Sequence, residues 1–519
     1  MIEVVALFLV SLTILIVSFL KRTTTTTTTS SSSSSRLHNK LPPSPWAALP
    51  IIGHLHLLGP SIHRSFHRLS AAAPLLHLRL GSVPCVVVST PDAAREVLRT
   101  HDLTFSNRKQ TIAVQRVTYT NSSFAFAPHG AYWKFVKKLS AAELMSPRML
   151  RRQLGVRDAE LRRFLAAVRE RSRGGTERVN VTEELMTYSN NVISRMMLGS
   201  GGHADVARRV IREVSQIFGE FNVSDFVWCL RKFDVQGFKR RSDNIHRRYD
   251  ELLESIIGSR EQARKEESTR NEAGDEDEKV KDFLDVLLDV MEDDGAEIEL
   301  TRDHIKALVL DFFTAGTDTT AATLDWSLAE LINHPQLLTK ARQEIDRVVG
   351  SDRLVQESDA PNLPYVQAII KETFRLHPII PMIARKSTRE CHVNGYTIPA
   401  ETLLFVNMWS IGRDPNHWPD RTLEFWPDRF VRSDVDITGQ HFQLLPFGSG
   451  RRSCPGMPLA LRQLPTALAA MIQCFDWKVI SGVDGGDAGL VSMDERPGLT
   501  VPRAHDLVCI PVARLPNII

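Results

Sequence analysis

The sequence predicts a mainly α-helical body with small β-sheets, set behind an N-terminal transmembrane helix. Three observations predict it: an unbroken apolar run over 4–20, helical periodicity that dominates from Pro91 onward, and a few short β-branched segments, the clearest at 75–88. With 519 residues, 43% of them hydrophobic, the chain can bury a large core. A length prior of about 150 residues per domain would allow several domains. No internal repeat or convincing boundary divides the chain after Pro45, however.

The apolar run, VVALFLVSLTILIVSFL, is preceded by Glu3 and followed by Lys21-Arg22. It is about the shortest stretch that spans a bilayer as a helix. A cleaved signal peptide carries its positive charges before the run. Here they follow it, so the charge order favours an uncleaved anchor over 1–22 with the rest of the chain in the cytosol. The threonines of 23–29 and serines of 30–35 cannot bury apolar surface and read as a disordered linker. Leu41-Pro42-Pro43-Ser44-Pro45 reads as a stiff hinge. Linker and hinge thus occupy 23–45, and the body occupies 46–519 with membrane lipid as a neighbour.

Lys and Arg total 64 against 61 Asp and Glu, a formal charge of +3, so nothing global points to nucleic acid. The six cysteines, at 85, 229, 391, 454, 474 and 509, form no CxxC pair and no disulfide framework. They read as thiols in a reducing compartment.

Within the body, 75–88 reads as two strands joined at Gly81-Ser82. Helices are expected at 92–100, 132–144, 156–171 and 245–266. The charged stretch 266–281, with Asp275-Glu276-Asp277-Glu278, is expected as a solvated loop. One long helix over 303–334 ends at Pro335. Further strands are expected at 393–399 and 403–406, a helix at 457–475, and strand and turn character over 477–511.

The segment 447–456, FGSGRRSCPG, carries the strongest chemical signal. Gly448, Gly450 and Gly456 around Cys454 make a turn that can approach a flat ligand closely. A thiolate at the start of the following helix gains from its exposed N–H groups. A buried structural cysteine in a turn is the plainer alternative.

In the long helix, Ala315-Gly316-Thr317-Asp318-Thr319-Thr320 packs polar groups around a helix-weakening glycine, which predicts a local distortion. Ala315 and Thr319 share a face, and Asp318 with Thr319 can pass protons to a reacting group. The alternative is threonine bonding back to the helix with the aspartate on a solvated face. Glu372 and Arg375, three apart in YVQAIIKETFRLHPIIP, form a pair whose apolar setting implies burial.

With these segments together, the sequence resembles the cytochrome P450 superfamily of the plant microsomal type. The pattern F-x-x-G-x-R-x-C-x-G is matched at Phe447, Gly450, Arg452, Cys454 and Gly456, A-G-x-D-T-T at 315–320, and ExxR at Glu372 and Arg375. Pro427-Asp428-Arg429-Phe430 matches P-E-R-F with Asp428 in place of Glu, and Trp426 stands where an arginine is common. The resemblance implies a helical body around haem b, iron protoporphyrin IX, with Cys454 as the proximal metal ligand. It implies that Arg452, Arg385, Trp133 and Lys137 meet the haem propionates. Arg429 would lock Glu372 and Arg375, and Asp318 and Thr319 would serve oxygen activation.

NADPH-derived electrons would arrive through NADPH-cytochrome P450 reductase at the endoplasmic reticulum membrane. Arg451, Arg452, Lys134 and Lys138 are candidates for its docking patch. Within plants, 310–316, 442–447 and 495–500 resemble flavone synthase II and flavanone 2-hydroxylase, which implies oxidation of a flavanone at C2 with O2. Isoflavone synthases carry a lysine where this chain has Ala384, which argues against aryl migration. Other flavonoid or phenylpropanoid hydroxylases of the same family remain open, as does a haem-binding protein without turnover. Residues expected to face substrate are Phe313, Thr314, Ile379, Ile380, Met382, Leu499 and Thr500, with the loop 105–126 as a cover. Fold and family do not fix the substrate, and simple core packing is the alternative for these apolar positions.

Overall fold

The structure, a computed structural model, describes residues 40–71, 73–199, 204–271, 281–479 and 490–515. The expected anchor, the Thr/Ser tract and the acidic run at 275–278 lie outside the described residues. Among the described residues no helix is long and apolar enough to cross a membrane.

The helices that place the site are α1 (Ala131–Glu143), α2 (Leu154–Arg171), α3 (Val181–Leu198), α4 (Ala204–Gly219), α5 (Phe238–Asn271), α6 (Arg302–Asn333), α7 (Pro335–Val348), α8 (Pro364–Leu376) and α9 (Met457–Cys474). Helix α6 is the axis. Thr301 caps its start, its hydroxyl accepting from the His304 N–H at 3.3 Å, and Pro335 opens α7 just beyond its end. Its apolar residues recur on most sides, so it is buried along most of its length and packs on α3, α4, α8 and α9.

The main sheet has strand order β1-β2-β7-β4, with β1 Leu75–Leu80, β2 Val83–Val88, β4 Met382–Lys386 and β7 Leu403–Asn407. The hairpin turns at Gly81-Ser82 as expected, with Gly81 at φ +60°. β2 pairs in parallel with β7, Cys85 opposite Leu403 and Val88 opposite Val406. The run of β-branched residues in β2 suits a strand covered on both faces. A second sheet joins β3 (Val179–Asn180), β9 (Val508–Ala513) and β8 (Phe475–Val479). The hinge is bonded to the body: the His77 N–H donates to Pro43 O and that of Thr397 to Lys40 O, both at 2.9 Å.

Three local expectations are corrected. The strand expected over 393–399 is a hairpin, β5 (Cys391–Val393) and β6 (Tyr396–Ile398). Asn394 and Gly395 turn it with positive φ at both positions, as a two-residue type I′ connection requires. Helix α5 runs to Asn271, beyond the loop start expected at 266, because its charged residues are good helix formers and pair four apart, as Arg247 does with Glu251. Helix α6 is continuous through Gly316, with no distortion. The missing side chain serves close packing instead: a Cβ there would lie 3.0 Å from Ile193 of α3, and Ser189 donates to the Gly316 carbonyl at 2.7 Å.

Candidate functional site

Cys454 sits between a short 3-10 turn, Gly450–Arg452, and the start of α9. The turn has left-handed backbone at Gly448 and Gly450. A Cβ on Gly450 would stand 2.5 Å from Asp102 Oδ1 and 2.8 Å from Leu98 O, so only glycine fits. The Cys454 N–H donates to Phe447 O at 2.9 Å, and the Phe447 ring meets Phe374 edge-on. Burial pushes the Cys454 thiol pKa up, while the N–H groups of Gly456 and Met457 and the Arg108 charge pull it back. Cys454 nevertheless carries accessible surface. Both facts hold for a group that lines an internal void. A bound metal ion overrides the burial effect, since a coordinating thiol is deprotonated outright.

Around this void the chain gathers cations. Arg452 is buried, with its guanidinium 4.3 Å from the centre of the Trp133 ring. It donates to the carbonyls of Ser106 (2.8 Å), Phe124 (3.3 Å) and Ala127. Arg385 is buried beside it, donating to Arg452 O at 3.4 Å. Lys137 of α1 donates to Arg451 O. Burial and the Arg108 charge bring Arg452 down to about 9; burial, Arg108 and Arg452 hold Arg385 well below its usual range. The buried indole N–H of Trp133 has no hydrogen-bond partner.

Arg108, Arg385 and Arg452 repel one another, and a donor is orphaned among them. A flat ligand carrying two carboxylates would relieve both costs. Gly456 fits such a ligand too: a Cβ there would meet only Cys454 Sγ, at 3.8 Å. The residues present therefore suit haem.

On α6, Ala315 is exposed although the helix is buried on most of its length. Thr319 donates to Ala315 O at 2.7 Å, the back-bond that the plainer reading expected. Asp318 is enclosed rather than solvated. Burial pushes its carboxyl up to about 6, opposed by the Ser215 hydroxyl and the charges of Arg212 and Arg496. It can therefore hold or release a proton near neutral pH.

The ExxR pair is fully buried. Glu372 accepts from Arg375 Nε (2.7 Å) and Nη2 (2.8 Å), from Arg429 Nε (3.1 Å) and from the Trp426 N–H (2.8 Å). Arg375 also donates to the carbonyls of Gly412 and Thr422, both at 2.7 Å, and Glu424, at 3.0 Å. The two departures from the motif have roles. Asp428 pairs with Lys340 of α7, and the Trp426 ring lies 5.1 Å from the guanidiniums of Arg421 and Arg429.

The residues expected at the substrate are spread unevenly. Thr314 has a buried hydroxyl without a partner. Ile379 packs on Ala322 and Trp326, and its carbonyl accepts from the Val501 N–H at 2.8 Å. The backbone at Gly498-Leu499 lies so close to α4 that a Cβ on Gly219 would be 2.1 Å from Leu499 N. Leu499 and Ile380 are exposed, and Thr500 is half-buried. Phe313 is core, in the main cluster. Met382 packs beneath the sheet with Phe66, Leu76 and Phe405, on the strand face opposite Ile383 and Arg385, because side chains alternate along β4.

Arg452 drops out of the expected docking patch because it is buried. Arg451 is paired with Asp102 at 3.0 Å, while Lys134 and Lys138 are exposed. Sequence reasoning missed Arg108. It lies at FSNRKQ, residues 105–110 of the covering loop, which reads in sequence only as a cover.

A family model described as Cytochrome P450 matches residues 42–502. The chain is 56% identical over 488 residues to Cytochrome P450 93B2 of Gerbera hybrida, covering 92% of each. It is 48% identical over 490 residues to a 2-hydroxyisoflavanone synthase of Glycyrrhiza echinata, again covering 92% of each. A solved zebra fish cytochrome P450 with progesterone matches with a TM-score of 0.70 at 26% identity, covering 88% of this chain and 100% of that one.

Proposed function

This chain belongs to the cytochrome P450 family, and we propose that it oxidises a flavanone at C2, by 2-hydroxylation or by desaturation to a flavone. It is a haem-dependent monooxygenase that takes electrons from a reductase. The observation that carries the reading is the enclosed Cys454 thiol, faced by two N–H groups and ringed by arginines around an orphaned indole donor. Haem, when bound, supplies oxygen activation and the oxidising power that removes hydrogen from carbon.

The chain's own residues do the rest. Cys454 Sγ holds the metal, with the Gly456 and Met457 N–H groups supporting its charge. Arg452, Arg385, Lys137 and Trp133 take the two carboxylates. Ala315, exposed on α6, would leave room for the bound group. Asp318 can hold a proton at its carboxyl, and the neighbouring Thr319 hydroxyl would relay it to the reacting group. A turnover-competent acid and alcohol favour an oxygenase over a haem carrier.

The flavanone assignment draws on segments 310–316, 442–447 and 495–500. The 2-hydroxyisoflavanone synthase likeness favours a second reading, an isoflavonoid-type oxidation, against which Ala384 stands. The apolar run at 4–20 supports a single-pass anchor in the endoplasmic reticulum, with the body in the cytosol and in contact with lipid. NADPH-cytochrome P450 reductase would dock near exposed Lys134 and Lys138.

The test is to incubate microsomes holding this protein and a plant reductase with naringenin and NADPH, then identify the products. A flavone or a 2-hydroxyflavanone is expected. A 2-hydroxyisoflavanone would favour the second reading, and no oxidised product would overturn the flavanone assignment.

A further inference from the structure

Asp311 lies on α6 one turn before Ala315, within the 310–316 segment that carries the family likeness but with no role assigned to it above. Its carboxylate accepts from Ser123 Oγ at 2.7 Å and from the Ala125 N–H at 3.3 Å, with the Phe124 N–H adding to the same group. The other side of that segment is held by cations. Ala125 O accepts from Arg108 Nη1 at 2.8 Å, and the carbonyls of Phe124 and Ala127 accept from Arg452. The Phe124 ring is stacked between Trp133, at 5.9 Å, and Phe312, at 6.3 Å. Just upstream, Tyr119 and Thr120 are non-glycine residues with φ of 52° and 60°, a conformation that persists only when surroundings impose it.

We propose that Asp311 is a positioning residue for the oxygenation reaction. By fixing segment 123–127 from the α6 side, it sets both the contact of Phe126 with α4 and the carbonyls that orient Arg452 and Arg108 toward the haem carboxylates. The proposal rests on the monooxygenase reading and not on the flavanone assignment. Phe126 meets Phe218 of α4 edge-on at 5.6 Å, so the segment also forms one side of the contact between the covering loop and α4. Burial pushes the Asp311 carboxyl up to about 7, and its proximity to Arg108 opposes that rise. Leucine in its place would leave the Ser123 hydroxyl and the Ala125 N–H without their acceptor.

The experiment compares full-length holoprotein carrying Asp311→Asn or Ser123→Ala with wild type, by two readouts. The first is hydrogen exchange of the amides in 123–127. The second is the split between KM and kcat with whichever substrate is turned over. An amide side chain offers one acceptor oxygen to two or three donors, so exchange in 123–127 is expected to quicken by about tenfold. KM is expected to rise about fivefold while kcat stays within about twofold, the signature of weakened substrate binding where the covering loop meets α4. Ser123→Ala leaves the helix intact but removes both the donor to Asp311 and the acceptor of the Phe126 N–H at 3.3 Å, so its exchange is read at Phe124 and Ala125, and both readouts are expected to move in the same direction by less.

Unchanged exchange in Ser123→Ala would overturn the proposal even if Asp311→Asn did not fold. A fall in kcat with KM unchanged would also overturn it, by placing Asp311 in the chemistry. The exchange readout needs no substrate, so its outcome stands apart from that of the naringenin experiment.

Discussion

Replacing Glu372 by glutamine keeps the side-chain shape and removes the charge on which two arginines converge. Glu372 and Arg375 both have 0% side-chain exposure, and Arg429 has 7%. Removing one partner of such a pair leaves the other charged and unmatched, at a cost of about 3–5 kcal/mol. Arg429→Ala deletes one charge-assisted bond to Glu372 and frees the carbonyls of Asp420 and Arg421, so about 1.5–3 kcal/mol is expected. Lys340→Ala breaks the pair with Asp428, whose partners are 48% and 32% exposed, and should cost no more than about 1 kcal/mol. Against a total stability of about 5–15 kcal/mol, the first change brings the body near unfolding and the last is barely felt. The assay is haem content per chain together with the thermal midpoint, for the three variants side by side. If Lys340→Ala lost as much stability as Glu372→Gln, burial would not be what gives these contacts their weight, and the reasoning would be refuted.

Three further outcomes follow from the site. Cys454→Ser should abolish the red-shifted Soret band of the reduced carbon monoxide complex, because a hydroxyl does not replace the thiolate donor; a surviving band would mean another proximal ligand. The Asp318 carboxyl is raised to about 6 in the folded chain, so between its unfolded value near 3.8 and about 6 the folded state holds more protons and stability falls as pH rises. Asp318→Asn should remove that slope, its thermal midpoint gaining on wild type from pH 4 to 6 and holding a constant lead above; parallel curves would contradict the assigned burial. Gly219→Ala places a Cβ 2.1 Å from Leu499 N, so steady-state kinetics should show a raised KM and melting a loss of about 1–3 kcal/mol, unless the 498–501 backbone lies elsewhere.

The proposed metal-binding half of the site is legible in the sequence because it is local. Cys454, its glycines and the helix start all fall within ten residues, and the acid-alcohol pair and Glu372–Arg375 each lie within one helical turn. The 75–88 hairpin was legible for the same reason. What escaped depends on partners far along the chain. Gly316 looked like a helix weakness, but Ile193 and Ser189 decide its use. Arg452 looked like a free cation, but the carbonyls of a loop more than three hundred residues earlier engage it. Met382 and Phe313 have the composition of pocket residues, and only strand register and helix packing send them elsewhere. The Asn394-Gly395 turn was local and readable, and the β-branched residues on either side of it obscured the reversal.

The parallel pairing of Cys85–Val88 with Leu403–Val406 also governs the order of events during synthesis. The first hairpin leaves the ribosome with one edge of β2 unpaired, and its partner strand follows roughly three hundred residues later. At about 5–20 residues per second the gap is on the order of 15–60 s. Throughout it, the VPCVVV edge is a β-branched template without its mate, able to pair with another nascent chain. The loop bearing Cys454 emerges later still, so cofactor capture cannot assist the early hairpin, and expression yield should depend on chaperone supply during elongation before it depends on haem.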